Sequence, residues 1–517
     1  MADRLSDTRP TGRETVRQLA DGLQVFGIGS QPVTLARIAL AGLPRHGMTV
    51  AGAIAATARV RGDRVALLDD RGAVTYAELG RAAGRLAAAL DHHGLVAPGG
   101  RVAVVCEDNR DLFVAAAAAG LAGAQVAQLS PRMGRDSFAA WLAGHDGVDL
   151  IIHAPSAGRL LAGYSGPGLA TTAVVELVAA TPPGRPAPDH ARHSTSVMVT
   201  SGTTGTPKGI AIRRRSSQPL AAFALAGATR VRPGVPTLVW PPLYHGYGLA
   251  AAVLCLAVGS PVVTASAVGG SLSGDAGAAA LAAIRRYGVE VVFGVPAQLR
   301  ALAEALAADP APPPRLRRIL SGSDALDQAT VTALHQAVGP VLANYYGSTE
   351  AGTFSMATGA MVANDACVGR PIVGSRVQIV DADGQPVPVG ETGRIRVRSL
   401  MASVADQPGS RWLTMGDEGY LDADGRLYVL GRVGPVARLG GEFVEPGTVE
   451  ALLATLPGVR RASVQVVPDE RYGQRLSATV VPEPARQPDP ETWRTAIREA
   501  LGAAAVPREI TLAADPS

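Results

Sequence analysis

The sequence predicts an α/β protein with mostly parallel strands, followed by a small α+β domain. Three observations carry this. From Val50 onward, short β-type runs alternate with Ala-rich helical runs, the pattern of strand–helix–strand layers. Hydrophobic residues make up 47% of the chain but aromatics only 4%, so a large core must be built from Ala, Val and Leu. After about Arg432 the style changes to a Gly-rich segment, one helix and two strands.

Taken in order, residues 1–46 are Arg-rich and mixed, with a helix expected from Arg13 to Leu23. Helix Tyr76–Leu90 has apolar residues at three- and four-residue spacing, so it packs one face. Strands are expected at Arg101–Cys106, Asp149–His153, Thr237–Trp240 and Glu290–Phe293. Pro- and Gly-rich stretches at Thr181–Pro188 and Asp309–Pro314 read as loops. In the last domain a helix is expected at Thr448–Leu456, with strands at Ala462–Val467 and Leu476–Val481. The division expected is 1–46 as an N-terminal extension, 47–432 as a large domain and 433–517 as a small one. No internal repeat is visible.

Composition excludes several function classes. A net charge of +4 over 517 residues, without clustered basic and aromatic residues, does not argue for nucleic acid. Cys106, Cys255 and Cys367 lie far apart and suggest neither a disulfide framework nor a metal site, which fits a reducing, cytoplasmic compartment. The start carries no apolar signal-peptide core. The most apolar stretch, Leu249–Val268, is broken by Gly259, Ser260 and Pro261, so it reads as helix then strand, not a membrane span.

The chemistry centres on TSGTTGTPKG, residues 200–209, which follow the apolar run Val197–Val199. Glycine lets the backbone turn freely and approach a ligand. Successive N–H groups, with the hydroxyls of Thr200, Ser201, Thr203 and Thr204 beside Gly202 and Gly205, can cradle phosphate oxygens. Lys208 adds a point positive charge for the outer phosphates. It is also the only lysine in the sequence, in a chain whose other basic residues are Arg and His. The string is not a Walker loop, which needs Gly-Lys-Ser/Thr opening a helix.

This string resembles the phosphate loop of the adenylate-forming (ANL) superfamily, which includes acyl-CoA ligases, adenylation domains and luciferases. Four further stretches strengthen the resemblance. PPLYHGYG (241–248) follows a strand and is similar to the family's PLxHxxG segment, whose His and aromatic flank the acyl pocket. NYYGSTEAG (344–352) resembles YGxTE; by that resemblance Tyr346 stacks on adenine, Thr349 touches the α-phosphate and Glu350 holds magnesium. MGDEGY (415–420) places Asp417 where the ribose carboxylate belongs, and Gly431–Arg432 matches the Gly-Arg that closes the large domain. LGGEFVEP (439–446) resembles the loop that CoA ligases swing into the site for thioester formation.

The resemblance implies an ANL fold: a large domain of two α/β layers plus a β-barrel-like subdomain, and a small C-terminal lid. It implies catalytic roles for Lys208, His245 and Glu350, with Glu350 the metal residue. Ser321, Gly322, Asn344, Tyr345, Tyr346, Gly347, Thr349, Asp417 and Arg432 join the phosphate loop in holding the nucleotide. Tyr244, His245, Tyr247, Gly248, Phe293 and Gly294 are implied for the acyl pocket, and Arg438, Gly440 and Gly441 for CoA. The pocket's small residues point to a bulky or aromatic acid of specialised metabolism. The implied reactants are a carboxylic acid or its acyl-adenylate, AMP or ATP, CoA, and magnesium if adenylation occurs. The resemblance leaves room for a homodimer, and for a separate adenylating ligase as supplier of acyl-AMP.

Three departures stand out. SGSDA (321–325) differs from the usual Gly-Gly/Ala-x-Pro. Gly434 and Pro435 replace the usual hinge Asp-Asp. The family's C-terminal Gly-Lys loop has no match up to VPREITLAADPS (506–517). The expectation is therefore an enzyme that turns acyl-AMP and CoA into acyl-CoA and AMP, with adenylation weak or absent. A complete two-step acyl-CoA synthetase and a stand-alone domain loading a carrier protein are the alternatives.

Overall fold

The computed structural model describes residues 6–25, 47–144, 147–201, 207–212, 225–270, 275–364, 366–402, 412–432, 437–439, 442–469, 473–483 and 488–513. Two sheets organise the large domain. One has six strands among the described residues, in the order Gly168–Ala170, Leu150–His153, Arg101–Val105, Gln125–Gln128, Thr195–Ser201, Pro207–Ile212; all pairs are parallel except the last. The other runs to fourteen strands and changes character along its length. Its first part is parallel: Val65–Asp69, Val262–Thr264, Thr237–Val239, Val291–Gly294, Arg318–Ser321 and Leu342–Ser348 lie side by side, with Gly72–Thr75 antiparallel at the edge. From Leu342–Ser348 outward every pairing is antiparallel, around a separate core that includes Phe354, Val377, Ile379, Ile395 and Leu427.

Helices Val50–Arg61, Tyr76–His92, Arg110–Leu121 and Gly246–Val258 fill the space between the two sheets. Their buried residues pack on Val104 and Ile152 of one sheet and on Val239, Phe293 and Leu320 of the other. Ala-rich helices suit this position, because small side chains let helices sit close between two sheets. Helix Tyr76–His92 starts on a capping box: Glu78 N–H donates to Thr75 Oγ1 at 3.2 Å, and Thr75 N–H donates to Glu78 Oε2 at 2.8 Å. Its expected apolar face, Leu79, Ala83, Leu86 and Leu90, is buried. Helix Gly246–Val258 is apolar along its length and mostly buried, with Ala250 exposed, and Gly259 ends it at φ +85°. Among the described residues no helix is long and apolar enough to cross a membrane.

Element ends differ from expectation for local reasons. The strand begins at Leu150, not Asp149, because the Asp149 carboxylate accepts the Arg101 N–H at 2.6 Å. The strand Thr237–Val239 stops before Trp240, whose carbonyl accepts from Gln298 Nε2 at 3.1 Å. The helix expected from Thr448 begins at Pro446, and proline's fixed φ suits a first turn.

Residues 6–25 are built into the antiparallel part. Strand Asp7–Thr8 pairs with Ser375–Val380 at the sheet edge. Ser6 Oγ donates to the Ile379 carbonyl at 2.9 Å, and Glu14 of helix Gly12–Val25 pairs with Arg370. The C-terminal part has its own core: strands Val459–Asp469, Gly473–Pro482 and Glu509–Leu512 cover Val449, Leu453, Trp493 and Ile497 of helices Pro446–Leu453 and Pro490–Leu501.

Candidate active site

Several of the residues expected to carry chemistry lie at the C-terminal ends of the parallel strands of the larger sheet, where α/β sheets bind ligands. Phe293–Gly294, Ser321–Gly322 and Asn344–Ser348 are neighbours there, with Gly294 opposite Ser321 and Ser321 opposite Asn344. The strand Thr237–Val239 leads into loop 241–245 and then helix Gly246–Val258, with His245 at the N-cap.

Tyrosines and glycines lie close together at these strand ends. The rings of Tyr247 and Tyr345 meet edge-on with centroids 5.1 Å apart, and Phe293 lies 6.1 Å from Tyr247. Tyr247 Oη donates to the Leu320 carbonyl at 2.8 Å, which fixes the ring at the strand ends. Burial pushes both phenols' pKa up, so both stay protonated. A Cβ on Gly322 would sit 3.2 Å from the Tyr345 ring and 3.5 Å from Tyr247. Gly248 is tighter still, since a Cβ there would lie 2.3 Å from the Pro242 carbonyl oxygen. Burial pushes the His245 imidazole down to about 4, so it is neutral at physiological pH. The Tyr244 ring lies tilted beside His245, centroids 4.6 Å apart, and lines a cavity with Cys106, Glu107, Asp108, Pro131, Arg132, Ala265, Ser266 and Gly270.

Two motifs distant in sequence also meet. Tyr346 Oη donates to Asp417 Oδ2 at 2.5 Å, and Phe354 meets the Tyr346 ring edge-on at 5.0 Å. Asp417 faces Arg432 across the antiparallel pair Leu413–Leu421 and Leu427–Arg432. Ser321 Oγ is buried and has no hydrogen-bond partner among the described residues. The adjoining Ser323 adopts φ +72°, a left-handed backbone that non-glycine residues seldom carry and that clusters at functional sites. The strand Leu342–Ser348 bulges between Tyr346 and Gly347 before the turn that holds Thr349 and Glu350.

The phosphate loop connects a β-hairpin. Thr200 pairs with Lys208 and Ser201 with Pro207, so no helix opens after it. Gly202, Thr203, Thr204 and Gly205 lie outside the described residues, as do Gly434, Pro435, Gly440 and Gly441. Strands Ala437–Leu439 and Glu442–Val444 form the hairpin that carries Arg438, and Glu442–Val444 lies against Thr195–Ser201, the strand feeding the phosphate loop.

Two residues escaped the sequence reading. Gly246 brings the His245 turn against the YGSTE turn: a Cβ there would be 3.5 Å from Met198 and 3.7 Å from Thr349 Oγ1. Its only sequence signal is a small residue between His245 and Tyr247. Asp108 binds the backbone of Leu243, two residues before His245, and nothing in its own stretch announces that.

The family model of the AMP-binding enzymes matches residues 54–404, and that of their C-terminal domain matches 448–516. The chain belongs to the AMP-binding enzyme family. Its fold is the ANL fold of a large N-terminal and a small C-terminal domain, and it is acyl-CoA ligase-like. A feruloyl-CoA synthase from Amycolatopsis is 30% identical over 502 residues, covering 94% of each chain. The structure of an amide bond synthetase from Marinactinospora thermotolerans shares 29% identity at a TM-score of 0.77, covering 90% of this chain and 95% of that one. A malonyl-CoA ligase with methylmalonyl-CoA and AMP bound shares 27% at 0.70, covering 88% and 97%. In this AMP-binding enzyme no group of three His, Cys, Asp or Glu able to hold a metal occurs among the described residues.

Proposed function

We propose that this AMP-binding enzyme is an acyl-CoA ligase for a bulky or aromatic carboxylic acid, and that thioester formation is the half-reaction its arrangement serves best. The observation that carries the reading is the hairpin Ala437–Leu439/Glu442–Val444 lying with Glu442–Val444 against Thr195–Ser201. This hairpin resembles the thioester-forming loop, and the strand it lies against leads in sequence into residues 202–205. The Tyr247, Tyr345 and Phe293 cluster and the relation to a feruloyl-CoA synthase support an aromatic acyl group.

In this reading the CoA sulfur attacks the acyl-adenylate carbonyl. The S–C bond forms, the bond from that carbon to the phosphate oxygen breaks, and AMP leaves with the electron pair. Thr349 and the phosphate-loop amides receive its charge, with Lys208 beside them. The thiol proton leaves to solvent. His245, neutral and with its basicity lowered by burial, walls the acyl site instead of taking that proton. Lys208 is the single lysine in these 517 residues.

The test sets ATP–pyrophosphate exchange with a panel of aromatic acids beside transfer from the matching synthetic acyl-AMP to CoA. Transfer at least tenfold faster than exchange is expected. Exchange as fast as transfer would leave a complete two-step synthetase. Better transfer to an amine or a carrier protein than to CoA would replace the acceptor.

A further inference from the structure

Loop 241–245 shapes the acyl site, yet it begins with two residues that cannot donate a backbone hydrogen bond. Pro241 and Pro242 have no N–H, so Leu243 supplies the first donor after Trp240. That donor crosses to the other sheet: Leu243 N–H donates to Asp108 Oδ1 at 2.9 Å. Asp108 lies between strand Arg101–Val105 of the six-stranded sheet and helix Arg110–Leu121. The Pro242 carbonyl accepts His245 N–H at 3.1 Å, so Leu243 is inside the turn that ends at His245. Any shift of Leu243 is therefore passed directly to Tyr244 and His245.

We propose that Asp108 is a positioning residue that anchors the acyl-site loop through the Leu243 N–H and thereby sets how well the acyl group is held. The inference rests on the acyl-CoA ligase reading for its kinetic readout, while its spectroscopic readout does not need that reading.

The anchor's strength follows its ionisation. A carboxylate accepts more strongly than a neutral carboxyl group. Burial, with Glu107 adding repulsion, pushes the Asp108 carboxyl up to about 7, while the Leu243 N–H and Arg132 pull the other way. Tyr244 and Cys106 line the same cavity, and the Cys106 thiol, pushed up to about 12, stays neutral. The carboxyl group thus changes charge near neutral pH, and the loop is held more firmly above pH 7 than below it.

The experiment compares the full chain with D108N and D108A. Asparagine keeps an acceptor oxygen but cannot ionise; alanine removes the acceptor. With acyl-AMP as varied substrate, KM of the unsubstituted protein should fall severalfold as pH rises from 6 to 8, while the rise in kcat that the CoA thiol brings is shared by D108N. D108N should hold KM flat at its low-pH value, and D108A should raise KM about tenfold. In 15N-leucine-labelled protein the Leu243 amide proton should titrate with a midpoint near 7, and in D108N it should not. A Leu243 amide that ignores pH in the unsubstituted protein, or that titrates equally in D108N, overturns the proposal whether or not the protein turns over. A titrating amide with pH-independent KM would confine Asp108 to a structural role and also overturn it.

Discussion

The Tyr346 phenol donates a hydrogen bond to the Asp417 carboxylate at 2.5 Å, joining the YGSTE and MGDEG stretches across the antiparallel part of the large sheet. The two side chains expected on adenine and ribose are thus partners of each other. Removing only the hydroxyl tests what this pairing does. Tyr346→Phe keeps the ring against Phe354 but leaves Asp417 without that donor. A hydrogen bond to a charged group contributes roughly 1.5–3 kcal/mol. AMP affinity, measured by calorimetry, should fall about tenfold, a change of about 1.4 kcal/mol. Unchanged affinity would mean that Asp417 is held by its strand alone.

Lys208 stands at the start of strand Pro207–Ile212, beside the phosphate loop. Lys208→Ala should weaken AMP and acyl-AMP binding at least tenfold while the melting temperature stays nearly constant. A fall in melting temperature with intact AMP affinity would make the lysine a structural residue.

Gly134 caps helix Arg135–Ala143 with an ordinary φ of −67°, so its backbone does not require glycine. Its surroundings do: a Cβ there would lie 2.2 Å from the Ala500 carbonyl oxygen and 2.6 Å from the Gly502 nitrogen. Met133 and Gly502 form a β-bridge at the same place. Gly134→Ala should therefore lift the end of helix Pro490–Leu501 off the large domain. Hydrogen exchange in Arg135–Ala143 and Pro490–Leu501 should speed up, and acyl transfer to CoA should drop about tenfold with AMP binding retained. Retained transfer would show that this docking is dispensable.

Asp108 also makes stability depend on pH. Burial pushes its carboxyl up to about 7 in the folded chain, well above the usual carboxylate range, so the folded state binds the proton more tightly than the unfolded chain. Stability from this group is full below the unfolded pKa and is lost as pH rises towards 7. Asp108→Asn removes the titration, so its melting temperature relative to the unsubstituted protein should rise between pH 5 and 8. A constant difference across that range would refute the shift.

Much of this molecule is legible along the chain. The helix Tyr76–His92 carries its own capping box and apolar stripe, and the strand ends that form the site carry glycines and hydroxyls in recognisable order. These signals are local: hydrophobic periodicity and turn chemistry act over a few residues, and so the sequence by itself determined the elements, the α/β class and the motif residues. The tertiary structure alone decided which residues meet. Asp108 and Leu243 are 135 positions apart, strand Asp7–Thr8 finds its partner at Ser375–Val380, and Gly134 is glycine only because Ala500 arrives beside it. Each such contact depends on how two elements pack at a distance of a few ångströms, and no pattern within either stretch encodes its partner.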